Sequence, residues 1–144
     1  MAWKPFSSKI ERSIVEAIQR AEDTCSGEIR VHLDRYCKGD PVFKAKNLFF
    51  HLEMEKTKQR NGVLIYAAIK DRKFSIIGDE GIDAKVPDDF WETTKELMLA
   101  KFAQGDIPGG LVVGIEHAGE QLSTYFPSDE DKGNELTDDI SYGA

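Results

Sequence analysis

Between Arg60 and Gly81 the chain runs through Asn61-Gly62, an apolar stretch from Val63 to Ile69, and the charged triplet Lys70-Asp71-Arg72. A second β-rich stretch, Lys73 to Ile77, follows, and then the acidic loop Gly78-Asp79-Glu80-Gly81. The first stretch is too short for a membrane helix and is rich in β-formers, so it predicts a buried central strand. The second pairs back on it as a hairpin. A hairpin reverses the chain, so Asn61 and Asp79 belong at one end of the sheet and Asp71 at the other.

The elements around this hairpin are also predictable. Ser8 followed by Glu11 is a capping box, and Ile10, Ile14, Ala17, Ile18 and Ala21 recur at helical spacing, giving a first helix that stops near Cys25 to Gly27. From Glu28 to Leu33 the sequence alternates, with Ile29, Val31 and Leu33 on one face and Glu28, Arg30 and His32 on the other. Asp40-Pro41 opens a second helix with the stripe Val42, Ala45, Phe49 and Leu52. Strand, helix, strand makes a right-handed βαβ unit with parallel strands. Glu28 therefore joins Asn61 and Asp79 at one sheet end, and Asp34 and Asp71 gather at the other. After Val86-Pro87 a third helix turns Phe90, Trp91, Thr94, Leu97, Met98 and Phe102 inward and stops at Gly105. Asp106 caps a fourth, with Pro108 in its first turn and Leu111, Val112, Ile115, Ala118 and Leu122 as its stripe. Gly110, Gly114 and Ala118, four apart, let that helix approach a neighbour closely.

Composition bounds the rest. A chain of 144 residues, 40% hydrophobic and 31% charged, is one soluble globular domain, here residues 1–126, followed by a polar, acidic segment, 127–144, expected to be disordered or loosely docked. No signal-peptide h-region and no run of about 20 apolar residues is present, which predicts a cytoplasmic chain without a membrane. Of the net charge of −7, the segment after Phe126 carries −5. No basic stripe interleaved with aromatics is visible, so nucleic acid is excluded as a partner and cations are favoured. Cys25 and Cys37 bracket a strand that holds their Cα atoms more than about 20 Å apart, too far for a disulfide, and neither has a zinc-ligand spacing partner.

Each candidate site residue has a bland role beside its functional one. Asp79, Glu80 and Asp83, on a loop near Glu28, offer carboxylate oxygens to a hard cation. They also serve as solvated turn residues, with Asp83 capping a turn at 84–86. Asp106 is most simply an N-cap and Asp71 a hairpin turn residue, while Asn61 is either turn chemistry or a polar anchor at the sheet mouth. His32 reads as a face-filling strand residue. The tail fails as an EF-hand, because Asn134 stands where glycine is needed and Ile140 where glutamate is needed. No Walker loop, dinucleotide fingerprint, nucleophile elbow or zincin motif occurs.

Ser26-Gly27-Glu28-Ile29-Arg30-Val31-His32, Arg60-Asn61-Gly62-Val63-Leu64-Ile65-Tyr66, Asp71-Arg72-Lys73, Gly81-Ile82 and Phe102-Ala103-Gln104-Gly105-Asp106, with Gly110-Leu111 and Gly114-Ile115, resemble the TPM domain family over about residues 8 to 126. That family includes thylakoid-lumen photosystem II repair proteins and acetylcholine-receptor accessory proteins. The resemblance implies an α/β fold, a three-layer α/β/α sandwich with a mixed, Rossmann-like sheet. It also implies calcium binding and, in the thylakoid branch, acid phosphatase activity. Carried over by motif, the polar positions are Glu28, Asn61, Asp71 and Asp106, with Asp79, Glu80 and Asp83 in a loop that often reads Gly-Tyr-Gly in exported members. The more acidic loop here favours cation binding over transfer of enzymatic detail. Many relatives carry a signal peptide and a membrane anchor; this sequence shows neither, which argues against a membrane-complex repair role.

The reading that unites these features is a domain binding a divalent cation, calcium ahead of magnesium, at Glu28, Asn61 and the Asp79 to Asp83 loop, with Asp106 as a further candidate ligand. The enzyme alternative is metal-assisted phosphomonoester hydrolysis, with Arg30 or Arg60 steadying the oxyanion. The third is a protein-interaction module whose acidic tail docks a protein partner.

Overall fold

The computed structural model describes residues 3–128 and 136–143. Its sheet has the strand order β3-β2-β1-β4, where β1 is Glu28–Asp34, β2 Gly62–Ala68, β3 Lys73–Gly78 and β4 Ser141–Tyr142. β1 and β2 run parallel with Glu28 opposite Gly62, and β2 and β3 run antiparallel with Val63 opposite Gly78. The mixed sheet follows from its connections: the β2–β3 turn is short, whereas β1 reaches β2 through a helix.

That helix, α2 (Pro41–His51), covers one face of the sheet, and α1 (Ser8–Thr24), α4 (Glu92–Ala103) and α5 (Ile107–Tyr125) cover the other. A single turn, α3 (Glu80–Asp83), follows β3. Strand alternation divides the interior accordingly. Ile29, Val31, Leu33, Val63, Ile65 and Ala67 pack with Ile14, Ile18, Leu111, Ile115 and Leu122, while Leu64, Tyr66 and Ala68 pack with Ala45 and Phe49 on the α2 side. Helices on both faces of a mixed sheet make the three-layer α/β sandwich.

Local signals explain most boundaries. Asp40 accepts the Val42 N–H at 2.9 Å with Pro41 behind it, and Asp106 accepts the Gly109 N–H at 2.9 Å at the head of α5. The cap of α1 is Ser7, one residue before the expected Ser8: its extended backbone aims Oγ at the Ile10 N–H, 3.2 Å away. Two apolar stripes are narrower than their spacing predicts. Val42 and Leu97 are each 40% exposed, because α2 meets the sheet along Ala45 and Phe49, and α4 leans on α5 and reaches the sheet through Phe102 on Phe74. The close approach predicted for α5 is present, with Gly110 against Phe102 and Gly114 against Met98.

Of the acidic segment expected to be disordered or loosely docked, residues 136–143 dock on the sheet. β4 adds in parallel to the outer edge of β1, with Ser141 opposite His32 and Tyr142 opposite Leu33. Leu136, Ile140 and Tyr142 pack on the two cores, and these apolar residues outweigh the acidic composition around them. Asp129, Glu130, Asp131, Lys132, Asn134 and Glu135 lie outside the described residues. Cys25 and Cys37 are buried thiols without a disulfide. Among the described residues no helix is long and apolar enough to cross a membrane.

Candidate metal centre

The topology brings Glu28, Asn61 and Asp79 to one end of the sheet, as the hairpin argument requires. What each side chain does there differs. Asp79 is the N-cap of α3, accepting the Glu80 N–H at 2.7 Å, and is only 6% exposed. Its carboxylate is gripped by Arg60, with Nε 2.8 Å from Oδ2 and Nη2 2.9 Å from Oδ1, while Nη1 reaches Glu80 at 2.9 Å. A bidentate guanidinium–carboxylate pair of this kind is strong and geometrically specific. Burial and the nearby Asp79 push the Asp83 carboxyl above the usual carboxylate range. Arg60 thus engages two of the loop's three carboxyl groups, Asp79 and Glu80.

Asn61 is fully buried and is not part of a turn. Its N–H bonds Thr57 Oγ1 and its Nδ2 bonds Ser26 Oγ, each at 3.3 Å. Its Oδ1 is buried with no hydrogen-bond partner among the described residues. Arg60, with φ 50°, makes the reversal instead.

Glu28, completely buried, meets two carboxyl groups absent from the predicted set. Glu22, from the last turns of α1, and Asp138, from the segment leading into β4, each bring an oxygen to Glu28, and the three oxygens lie within 4.8 Å of one another. Glu22 is fixed because its Oε2 accepts the Ile29 N–H at 2.9 Å, a donor on the edge of β1 beyond the reach of β4. Burial pushes the Glu22 carboxyl up to about 10, helped by its hydrogen bond to Asp138 and by Glu28, and the Ile29 N–H only partly opposes this. At neutral pH Glu22 therefore holds a proton unless a cation takes its place. One Asp138 oxygen, Oδ1, is also buried without a hydrogen-bond partner among the described residues. An all-oxygen, carboxylate-rich set suits a hard divalent cation and no soft one.

The remaining predicted residues stand apart. Asp106 caps α5, and its neighbours Gly105 and Ile107 line a cavity of about 430 Å³ with Ala68, Ile69 and Lys73, at the opposite sheet end. Asp71 accepts the Cys37 N–H at 2.7 Å and pins the loop leaving β1. Of the two arginines considered for an oxyanion, Arg60 is engaged by Asp79. Arg30 is partly buried near Asp139, with a Nε that lacks a hydrogen-bond partner among the described residues. Glu22 had a signal in the sequence, since it follows the fully buried Ile18 by four residues. Asp138 had a fainter one, discussed below.

Comparison with known proteins agrees with this architecture. The TPM domain profile matches residues 4–121. The NMR structure of the BA42 protein from the psychrophilic bacterium Bizionia argentinensis superimposes with a TM-score of 0.92 at 45% identity, covering 99% of both chains. The N-terminal domain of the cg2496 protein from Corynebacterium glutamicum has a TM-score of 0.67 at 18% identity, covering 87% of this chain and 79% of that one. An N-terminal domain from P. gingivalis gives 0.59 at 14% identity over 84% and 78%; these two share the fold. No curated protein matches the sequence. With a family profile spanning most of its length and a near-complete structural match at 45% identity, the chain belongs to the TPM domain family.

Proposed function

We propose that this TPM domain binds a divalent cation, calcium in preference to magnesium, through Glu22, Glu28 and Asp138. The observation that carries the proposal is the convergence of three carboxyl groups from α1, β1 and the C-terminal segment within 4.8 Å. Calcium holds oxygens at 2.3–2.6 Å, so two ligands on opposite sides of the ion stand about 4.6–5.2 Å apart. The three oxygens lie within 4.8 Å of one another, inside the span that one calcium ion can bridge. Magnesium, at 2.0–2.1 Å, brings opposite ligands to about 4.2 Å and demands a tighter octahedron. The Asp79 to Asp83 loop is the weaker candidate, because a cation there has to displace the Arg60 guanidinium from Asp79.

The test is an NMR titration of calcium into the chelator-stripped full chain. Saturable shifts at residues 22, 28, 29 and 138, absent from Glu22→Gln, are expected. Saturable shifts centred on residues 79–83 would move the site to that loop, and uniform small shifts would reduce the interaction to diffuse attraction for an acidic chain.

One observation favours phosphomonoester hydrolysis as a second reading: the Arg30 Nε, two residues along β1 from Glu28, is buried without a hydrogen-bond partner among the described residues and suits a phosphoryl oxygen. Calcium-dependent turnover of p-nitrophenyl phosphate that is lost in Arg30→Gln supports it. Absence of turnover in the calcium-loaded protein retires it.

A further inference from the structure

The face of β1 that carries Glu28 and Arg30 also carries His32 and Asp34, and neither belongs to the cation site. His32 lies opposite Tyr66 on β2 and opposite Ser141 on β4, so the register sets the three side chains in a row across the sheet. His32 Nδ1 is 2.8 Å from Ser141 Oγ, and His32 Nε2 is 2.9 Å from Asp34 Oδ1. The Tyr66 hydroxyl donates to the other Asp34 oxygen at 2.8 Å. Asp34 is 3% exposed, His32 5% and Tyr66 0%, so the order is imposed by packing.

The proton directions follow from valence. An ionised Asp34 only accepts, so it takes Tyr66 O–H and His32 Nε2–H. Nδ1 is then left as the acceptor for Ser141 O–H; the other acceptor near that hydroxyl, the Val31 carbonyl, is 3.4 Å away. Burial holds the imidazole below its ordinary value, with Asp34 opposing this, which favours the neutral ring that a general base requires. This is the serine, histidine, aspartate order of a nucleophile, its base and the group that orients the base.

The row opens on a cavity of about 660 Å³ lined by Ser141, His32 and Asp34. Leu48 and Leu52 give that cavity an apolar wall, and Lys38 and Lys44 give it two ammonium groups. We propose that Ser141 is a nucleophile and His32 its general base, in a site for carboxylic esters with an apolar acyl group and an anionic end. Ser141 Oγ attacks the ester carbonyl while its proton passes to His32 Nδ1. The tetrahedral intermediate, its oxyanion facing the lysine charges, expels the alkoxide, which takes the proton from His32 and leaves as the alcohol. Water then attacks the acyl-serine with His32 again as base, releasing the acid and restoring Ser141. Because Ser141 lies on β4, the site exists only when the C-terminal segment is docked.

The test is covalent labelling of the folded full chain with a fluorophosphonate, with the adduct mapped by mass spectrometry, alongside hydrolysis of p-nitrophenyl butyrate. One dominant adduct on Ser141 is expected, with labelling slowed on the order of 10²–10⁴-fold in His32→Gln and hydrolysis lost in Ser141→Ala. The labelling of the unsubstituted protein decides the matter even if a variant fails to fold. No adduct, or adducts spread over exposed serines such as Ser8 and Ser13, overturns the proposal and leaves the His32 row as a clamp that holds β4 in place.

Discussion

A carboxyl group that keeps its proton to about pH 10 is a sensor for whatever competes with that proton, and Glu22 is such a group. A carboxyl pushed up by folding contributes its full stability below the unfolded value of 4.5 and loses it as pH rises toward the folded value. In calcium-free protein, the melting temperature should therefore fall as pH rises from 5 to 9. Glu22→Gln should flatten part of that fall, because glutamine keeps the acceptor for the Ile29 N–H and a donor for Asp138 without a titrating proton. Scanning calorimetry of both proteins across that range is the check, and parallel curves would show that Glu22 is not the group responsible. The same substitution should abolish saturable calcium binding while preserving the fold. In the unsubstituted protein calcium displaces the Glu22 proton, so its affinity should rise with pH in calorimetric titrations between pH 6 and 8.

At the scale of elements, the sharpest constraint is the turn that brings β3 into α3. Gly81 donates its N–H to the Arg60 carbonyl at 2.9 Å, and a β-carbon there would overlap the carbonyl oxygens of Gln59 and Arg60. Two backbone segments cannot yield as a flexible side chain can. Gly81→Ala should cost about 1–3 kcal/mol or more, read from the urea midpoint, and should disturb the amides of residues 59–62 as well as those of α3. A midpoint within error of the parent would mean that the two segments part easily. This contact also shows what was readable beforehand. Asp40-Pro41, Asp106 and the 63–77 hairpin carry their instructions in neighbouring residues, and the structure follows them. The mutual grip of Arg60 and Asp79 does not lie in either residue's neighbourhood, since it depends on two loops meeting in space. The sequence of the acidic loop therefore does not reveal that Asp79, its buried carboxylate, is already paired with Arg60. Conversely, the real convergence at Glu28 draws one carboxyl from α1 and another from the far end of the chain, and no local window contains all three.

On the scale of the whole molecule, the C-terminal segment closes both candidate sites at once. It carries Asp138 to Glu22 and Glu28, and three residues later Ser141 to His32. A period-two signal for its extended course was present: Leu136, Asp138 and Ile140 are partly buried while Thr137 and Asp139 are exposed. The surrounding acidic composition concealed it. β4 has only two residues in register with β1, too short a ladder to secure a segment by backbone bonds alone. Side-chain anchors must supply the rest, and a cation held partly by Asp138 is one of them. By linkage, calcium at 100 times its dissociation constant should stabilise the folded chain by about 2.7 kcal/mol. Because one ligand lies on the segment, the gain should appear first as slower hydrogen exchange at residues 136–143. Asp138→Asn keeps the shape but removes a charge, and should lose most of both effects. If calcium raises the melting temperature yet leaves exchange at 136–143 unchanged, the ion binds elsewhere and the segment is held by Leu136, Ile140, Tyr142, the His32–Ser141 contact and its short ladder to β1. If exchange slows in the unsubstituted protein and not in Asp138→Asn, the cation is the latch that docks β4. It would then also set how much of the protein presents an assembled Ser141–His32 pair.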